Sequence, residues 1–106
     1  MIEVVYNRAY HRLTVKGHAG SGEKGRDIVC ASASMLAYTL AADIAGYGKC
    51  MRGLPEIRLE EGDAEISCTP KAHWNTIITL CFDNLCAGFD ILAKNYPQFV
   101  SYEVRG

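Results

Sequence analysis

The longest stretch of this chain without a charged side chain, residues 28–42, constrains its fold most. Asp27, just before it, has the short oxygen-bearing side chain that helix N-caps need. Apolar residues then recur at helical spacing, at Val29, Ala33, Leu36, Leu40 and Ile44. This pattern predicts a helix over residues 28–45 that ends in the glycines at 46 and 48. Because few of its positions are polar, we expect a second helix or a partner chain to cover it.

Alternating apolar and polar residues predict five strands around this helix. They cover residues 2–6, 12–16, 54–60, 64–69 and 100–105. The first two strands form a hairpin, and the next two form a hairpin around Glu61-Gly62-Asp63. A second helix is expected over residues 71–94. The order β-β-α-β-β-α-β predicts an α+β fold, a mainly antiparallel sheet with two helices packed against one face.

The same periodicities predict which side chains face the core. On the strands they are Leu13, Val15, Ile57, Leu59, Ala64, Ile66 and Cys68. On the second helix they are Trp74, Ile77, Ile78, Cys81, Leu85 and Leu92.

Length and composition favour one domain, residues 1–106, without a general affinity for nucleic acid. The formal net charge of −1 gives no electrostatic attraction to phosphate backbones. Five cysteines, an odd number, without a signal-peptide pattern favour reduced thiols and a cytoplasmic location. The uncharged stretch is short and rich in Ala and Ser, so membrane insertion is not expected.

The chemistry concentrates between His18 and Cys30. His18 follows the second strand, a glycine-rich connection comes next, and Cys30 lies in the first turn of the first helix. At that place the helix dipole, and a nearby imidazolium, would favour a thiolate, so the pair is typical of an activated nucleophile. Asp27 and Ser34 lie on the same helix face as Cys30.

The connection over residues 19–26 contains Gly20, Gly22 and Gly25, and we expect it to be mobile or closely approached by a ligand. Its G-x-G-x-x-G spacing is also found in nucleotide-binding loops. A hairpin follows the first helix instead of a buried parallel strand with an acidic end, so this signal is weak. The five cysteines and three histidines are scattered without a C-x₂-C pair, so zinc is not expected. A cysteine–histidine mechanism needs no cofactor either.

Several residues also have plain structural interpretations. Cys30 could be a small buried hydrophobe, which is the common role of a free cysteine and the one we assign to the other four. His11 and His73 are interpreted as surface or hydrogen-bonded structural residues. Asp27 could orient His18 or serve only as the helix cap, and Ser34 could bond near the site or to a backbone carbonyl.

Gly17-His18-Ala-Gly, Asp27-Ile-Val-Cys30 and then Ser34 resemble the ribosomal-processing cysteine protease family Prp. The resemblance implies that Cys30 is the nucleophile and His18 the general base, with Gly17, Asp27 and Ser34 at the other characteristic positions. It further implies removal of an N-terminal extension from large-subunit ribosomal protein twenty-seven, by a cut after an aromatic residue. A homodimer is expected from the resemblance together with the apolar first helix.

The leading hypothesis is therefore a Cys30–His18 endopeptidase in which amides at the helix start, including that of Cys30, hold the oxyanion. One alternative is a non-catalytic module that binds a peptide or ribosomal protein in the same groove. Another is a thiol redox protein, although no resolving cysteine lies close in sequence.

Overall fold

The computed structural model describes residues 1–20, 22 and 27–106, and their elements follow the predicted order. The strands are β1 (Ile2–Asn7), β2 (Arg12–Lys16), β3 (Glu56–Glu60), β4 (Asp63–Ser67) and β5 (Val100–Arg105). The helices are α1 (Ile28–Gly46) and α2 (Asn75–Asn95). Helix α2 begins later than predicted because Ala72–Trp74 forms a 3₁₀ turn.

The strands form one five-stranded sheet in the order β3-β4-β2-β1-β5. Three neighbouring pairs are antiparallel, and β5 alone runs parallel to its neighbour β1. The prediction of an α+β fold with a mainly antiparallel sheet is confirmed. Both predicted hairpins are present, β1 with β2 and β3 with β4.

The core lies between one face of the sheet and the two helices. Successive side chains of a strand point to opposite faces, so Ile2, Val4 and Tyr6 of β1 all point to the helices and are buried. The register continues this face across the sheet, because Tyr6 pairs with Leu13, which pairs with Ile66. The helices contribute further fully buried side chains, Val29, Leu40, Ile44, Ile78, Phe82 and Phe89.

Two predicted core residues of β3 are exposed. Ile57 and Leu59 are 37% and 38% exposed, so their assignment to the core was wrong. They do point to the helix side of the sheet, since Ile57 pairs with Ile66 and Leu59 with Ala64. Strand β3, however, is one of the two edge strands of the sheet, so it has a neighbouring strand on one side only.

The buried face of α2 also differs from the prediction. Its fully or nearly buried residues are Ile78, Phe82, Cys86, Phe89 and Leu92. Ile77 is exposed, while Trp74, Cys81 and Leu85 are partly buried. The helix has apolar residues on adjacent stripes because it packs against both the sheet and α1.

A polar cluster closes the end of the sheet where β1 leads into β2. The Tyr6 hydroxyl donates to Asp83 Oδ1 at 3.2 Å, and Arg8 forms a two-pronged ion pair with the same carboxylate. His11 is buried and its Nε2 lies 2.8 Å from Thr79 Oγ1. The structure therefore confirms His11 as a satisfied structural residue.

The cysteines outside the first helix are core thiols, as predicted. Cys50, Cys68 and Cys86 are buried, Cys81 is partly buried, and all five cysteines of the chain are free.

By length and composition alone, Ile28–Gly46 and Ala72–Asn95 could each span a membrane, but core helices of soluble proteins often meet the same criterion.

Candidate active site

A cleft of about 820 Å³ opens between the end of β2, the start of α1 and the turn that joins β3 to β4. All five residues singled out in the sequence line it: Gly17, His18, Asp27, Cys30 and Ser34. The structure thus brings them together, although their separate roles remain predictions.

Cys30 is positioned by the cap of α1. Asp27 Oδ1 accepts hydrogen bonds from the amides of Val29 and Cys30, each at 3.0 Å, as predicted for an N-cap. This contact contradicts one expectation, because the Cys30 amide is already used by Asp27 and is not open to an oxyanion. The amide of Ala19 instead donates to Cys30 Sγ, at 3.3 Å.

The Cys30 thiol is not the low-pKa thiol that its helix position suggested. Burial, the largest effect, raises its pKa above the ordinary value, because a thiolate loses solvation there. The Ala19 amide works in the opposite direction, and the Asp27 carboxylate raises the pKa further by a hydrogen bond and by its charge. Taken together, these contacts raise the pKa of the thiol and so disfavour the thiolate.

His18 is exposed at the rim of the cleft and directly follows Gly17. Gly17 has a φ of +96°, and a Cβ there would overlap the carbonyl oxygen of Met1. The Gly17 amide donates to the carbonyl of Gly62 at 2.9 Å. A glycine is therefore required at 17 for the chain to leave β2 and present His18 to the cleft.

Sequence reasoning missed the opposite wall of the cleft. The β3–β4 turn contributes Glu60, Glu61, Gly62 and Asp63, and Tyr38 of α1 also lines the cleft. Glu61-Gly62-Asp63 was recognised as a turn, but it lies far from residue 18 in the chain. Only the pairing of β2 with β4 reveals that this turn lies beside His18.

The expected mobility of residues 19–26 falls mostly on Ser21 and residues 23–26, which lie outside the described residues. For a metal, no cluster of three or more His, Cys, Asp or Glu side chains suited to an ion occurs within residues 1–20, 22 and 27–106.

A family model described as cysteine protease Prp matches residues 1–101. The chain belongs to this family. The predicted membership of the Prp family is therefore confirmed, and so is the prediction that the chain is a cysteine protease of a family involved in ribosomal processing.

A curated relative supports this assignment. The ribosomal processing cysteine protease Prp of Mycoplasma pneumoniae is 30% identical over 98 residues, which cover 90% of this chain and 88% of the relative.

Two crystal structures of the ribosomal processing protease Prp of S. aureus share the fold. The structure with a covalently linked product peptide has a TM-score of 0.77 at 22% identity, and covers 98% of this chain and 97% of its own. The structure with a substrate peptide has a TM-score of 0.70 at 21% identity, with the same coverage.

Proposed function

We propose that this chain is a cysteine endopeptidase that uses Cys30 and His18 to remove the N-terminal extension of large-subunit ribosomal protein twenty-seven. The observation that carries the proposal is the shared cleft. In a chain of the Prp family, it brings a thiol at a helix start and an imidazole at a strand end onto the same open surface.

The proposed reaction begins with a proton transfer. Because burial raises the pKa of the Cys30 thiol and so disfavours a free thiolate, His18 acts as general base and takes the proton as Sγ attacks the scissile carbonyl. The imidazolium then donates this proton to the leaving amine. Water hydrolyses the resulting thioester, with His18 again as base, and the free thiol is restored.

The Ala19 amide is our candidate for stabilising the oxyanion. It already points at Cys30 Sγ, so it lies next to the carbon that the sulfur attacks. A backbone N–H in that place can donate to the oxygen that becomes negative in the tetrahedral intermediate. The Cys30 amide has the different task of holding the cap through Asp27.

The substrate assignment rests on the family and on the form of the cleft. A cleft of about 820 Å³ that is open to solvent is large enough for several residues of an extended peptide. The S. aureus relatives of the same fold bind a substrate peptide and a covalently linked product peptide. By family resemblance, the cut follows an aromatic residue.

The test is incubation of the purified protein with ribosomal protein twenty-seven that carries its extension, followed by mass spectrometry of the products. We expect a single cut by the native protein and none by Cys30→Ala or Cys30→Ser. Cys81→Ala is the matched control, because it removes another partly buried helical thiol that does not line the cleft. Full activity in Cys30→Ala would rule out the mechanism. Stable binding without any cut by the native protein would favour a peptide-binding module.

We also propose that the enzyme is a cytoplasmic homodimer. Its cysteines are all free, as is usual in a reducing compartment. Large apolar side chains on α1 and α2 are exposed, including Met35 at 64% and Ile91 at 60%. Such surfaces are usually covered in solution. Light scattering should give twice the mass of the chain, and a monomeric mass would contradict the dimer.

A further inference from the structure

The turn between β3 and β4 touches His18 at a position that has no side chain. A Cβ built on Gly62 would lie 2.6 Å from His18 Nε2, 3.0 Å from Cε1 and 3.3 Å from Cδ2. The three atoms nearest to that position all belong to the His18 ring. The imidazole therefore lies directly against the backbone of Gly62, in space that any other residue would fill.

Backbone pairing holds the two partners of this contact in register. Strands β2 and β4 are antiparallel, and their last pair is Lys16 with Asp63. The next residues outward continue the ladder, because the Gly17 amide donates to the Gly62 carbonyl at 2.9 Å. His18 follows immediately, so its ring meets the turn at a position that the sheet determines.

We propose that Gly62 is a positioning residue for His18. Its missing side chain leaves room for the imidazole, and its backbone limits how far the ring can move away from the cleft that contains Cys30. This inference rests on the proposed function for its effect on catalysis. The contact itself does not depend on it.

The contact has a consequence for catalysis. A general base must lie within hydrogen-bond reach of the proton that it takes, and a displacement of about 1 Å can cost roughly a hundredfold in rate. A methyl group at Gly62 would force a shift of the ring, because 2.6 Å is well inside the van der Waals distance of carbon and nitrogen.

The test compares Gly62→Ala with Gly53→Ala. Both glycines have a positive φ, +71° and +76°, so alanine introduces similar backbone strain at each. Only Gly62 has a neighbour in the way, since nothing lies within 4 Å of a Cβ on Gly53. We expect kcat to fall about a hundredfold in Gly62→Ala with little change in KM, and to stay near the wild-type value in Gly53→Ala.

Two further variants separate the contact from the strain. Asparagine tolerates a positive φ but still carries a Cβ, so Gly62→Asn should lose activity as Gly62→Ala does. In a His18→Ala background, Gly62→Ala should cause little further loss of kcat, because the imidazole ring that the added methyl group would displace is absent. Wild-type kcat in both Gly62 variants, or an equal loss in Gly53→Ala, would overturn the proposal.

NMR tests the inference without substrate. The wild-type protein should show a nuclear Overhauser effect between the His18 ring protons and the Gly62 Hα protons, and His18 signals should shift in Gly62→Ala but not in Gly53→Ala. Absence of the wild-type contact would overturn the proposal even if the enzyme is active. If the protein cuts no peptide, the proposed function fails, while the NMR result still decides the role of Gly62 in placing the ring.

Discussion

Asp27 has two opposing effects on Cys30. Its side chain caps α1 by accepting from the Val29 and Cys30 amides, which holds the cysteine in the first turn. The same carboxylate raises the pKa of the thiol through a hydrogen bond and through its charge. The cap therefore positions the nucleophile and at the same time opposes formation of its thiolate.

Replacing Asp27 with asparagine separates these effects. Asparagine caps helices about as well as aspartate but has no charge, so the fold should be kept while the pKa of Cys30 falls. We expect the pH midpoint of iodoacetamide labelling at Cys30 to move below the wild-type value, which itself lies above that of an ordinary thiol. Peptide mapping by mass spectrometry assigns the labelled cysteine.

Peptide cleavage by the same variant shows whether Asp27 also orients His18 or serves only as the helix cap. If Asp27 serves only as the cap, peptide cleavage by Asp27→Asn should persist. If it orients His18, kcat should fall although the thiol has become more reactive. Asp27→Ala is the comparison for the cap, with an expected loss of about 1 kcal/mol in the free energy of unfolding. An unchanged labelling midpoint in Asp27→Asn would contradict the proposed effect of the carboxylate.

At the scale of the elements, α1 and α2 pack closely at Gly88. A Cβ on Gly88 would lie 2.6 Å from Cδ2 of Leu36, so Leu36 fills the space that the glycine leaves. Glycine inside a helix costs about 1 kcal/mol relative to alanine. Gly88 therefore lowers the helix propensity of α2 but allows α1 and α2 to pack closely.

A double-mutant cycle measures how strongly the effects of Gly88 and Leu36 on the free energy of unfolding depend on each other. In the wild-type background, Gly88→Ala should gain little stability, because the added methyl group displaces Leu36. In a Leu36→Ala background the space is free, and the same substitution should stabilise the protein by about 1 kcal/mol. Urea unfolding measures both steps. Equal effects of Gly88→Ala in the two backgrounds would show that the residues do not interact.

Position within the sheet also decides which apolar residues are covered. Ile57 and Ile66 are paired neighbours on the same face, yet Ile66 is fully buried and Ile57 is 37% exposed. The alternation in β3 indicates which way its side chains point. It carries no information about whether a helix lies above them, because that depends on where β3 joins the sheet.

For the whole molecule, buried thiols should weaken the fold at alkaline pH. Burial raises the pKa of Cys68, Cys81 and Cys86 from the ordinary value of a thiol to about 11. The unfolded chain therefore releases these protons at lower pH than the native protein does. The stabilisation is complete below pH 9 and is lost as the pH rises to about 11.

Urea unfolding in the presence of a reductant, at several pH values between 8 and 11, measures this loss. The free energy of unfolding should stay nearly constant up to about pH 9 and then decline. Cys68→Ala should make the decline shallower, because one fewer thiol titrates differently in the two states. A stability that does not change between pH 9 and 11 would contradict the raised pKa values.

The sequence by itself determined the order of the elements, the cap at Asp27 and the part of the cleft that lies at the end of β2 and the start of α1. These follow from patterns of a few consecutive residues, such as the alternation along a strand, the spacing along a helix and a short polar side chain before an apolar run. The His18–Cys30 motif is of this kind, since both residues are placed by the ends of their own elements.

Only the tertiary structure decided which stripe of α2 meets the sheet, that β3 forms an edge, that the pKa of the Cys30 thiol is raised and that Gly62 lies against His18. Each of these depends on contacts between segments far apart in the chain. Burial, which raises the pKa of Cys30, is a property of the packed molecule. A local pattern encodes backbone conformation and the direction of side chains, whereas their neighbours and their solvation are set when the sheet and helices assemble.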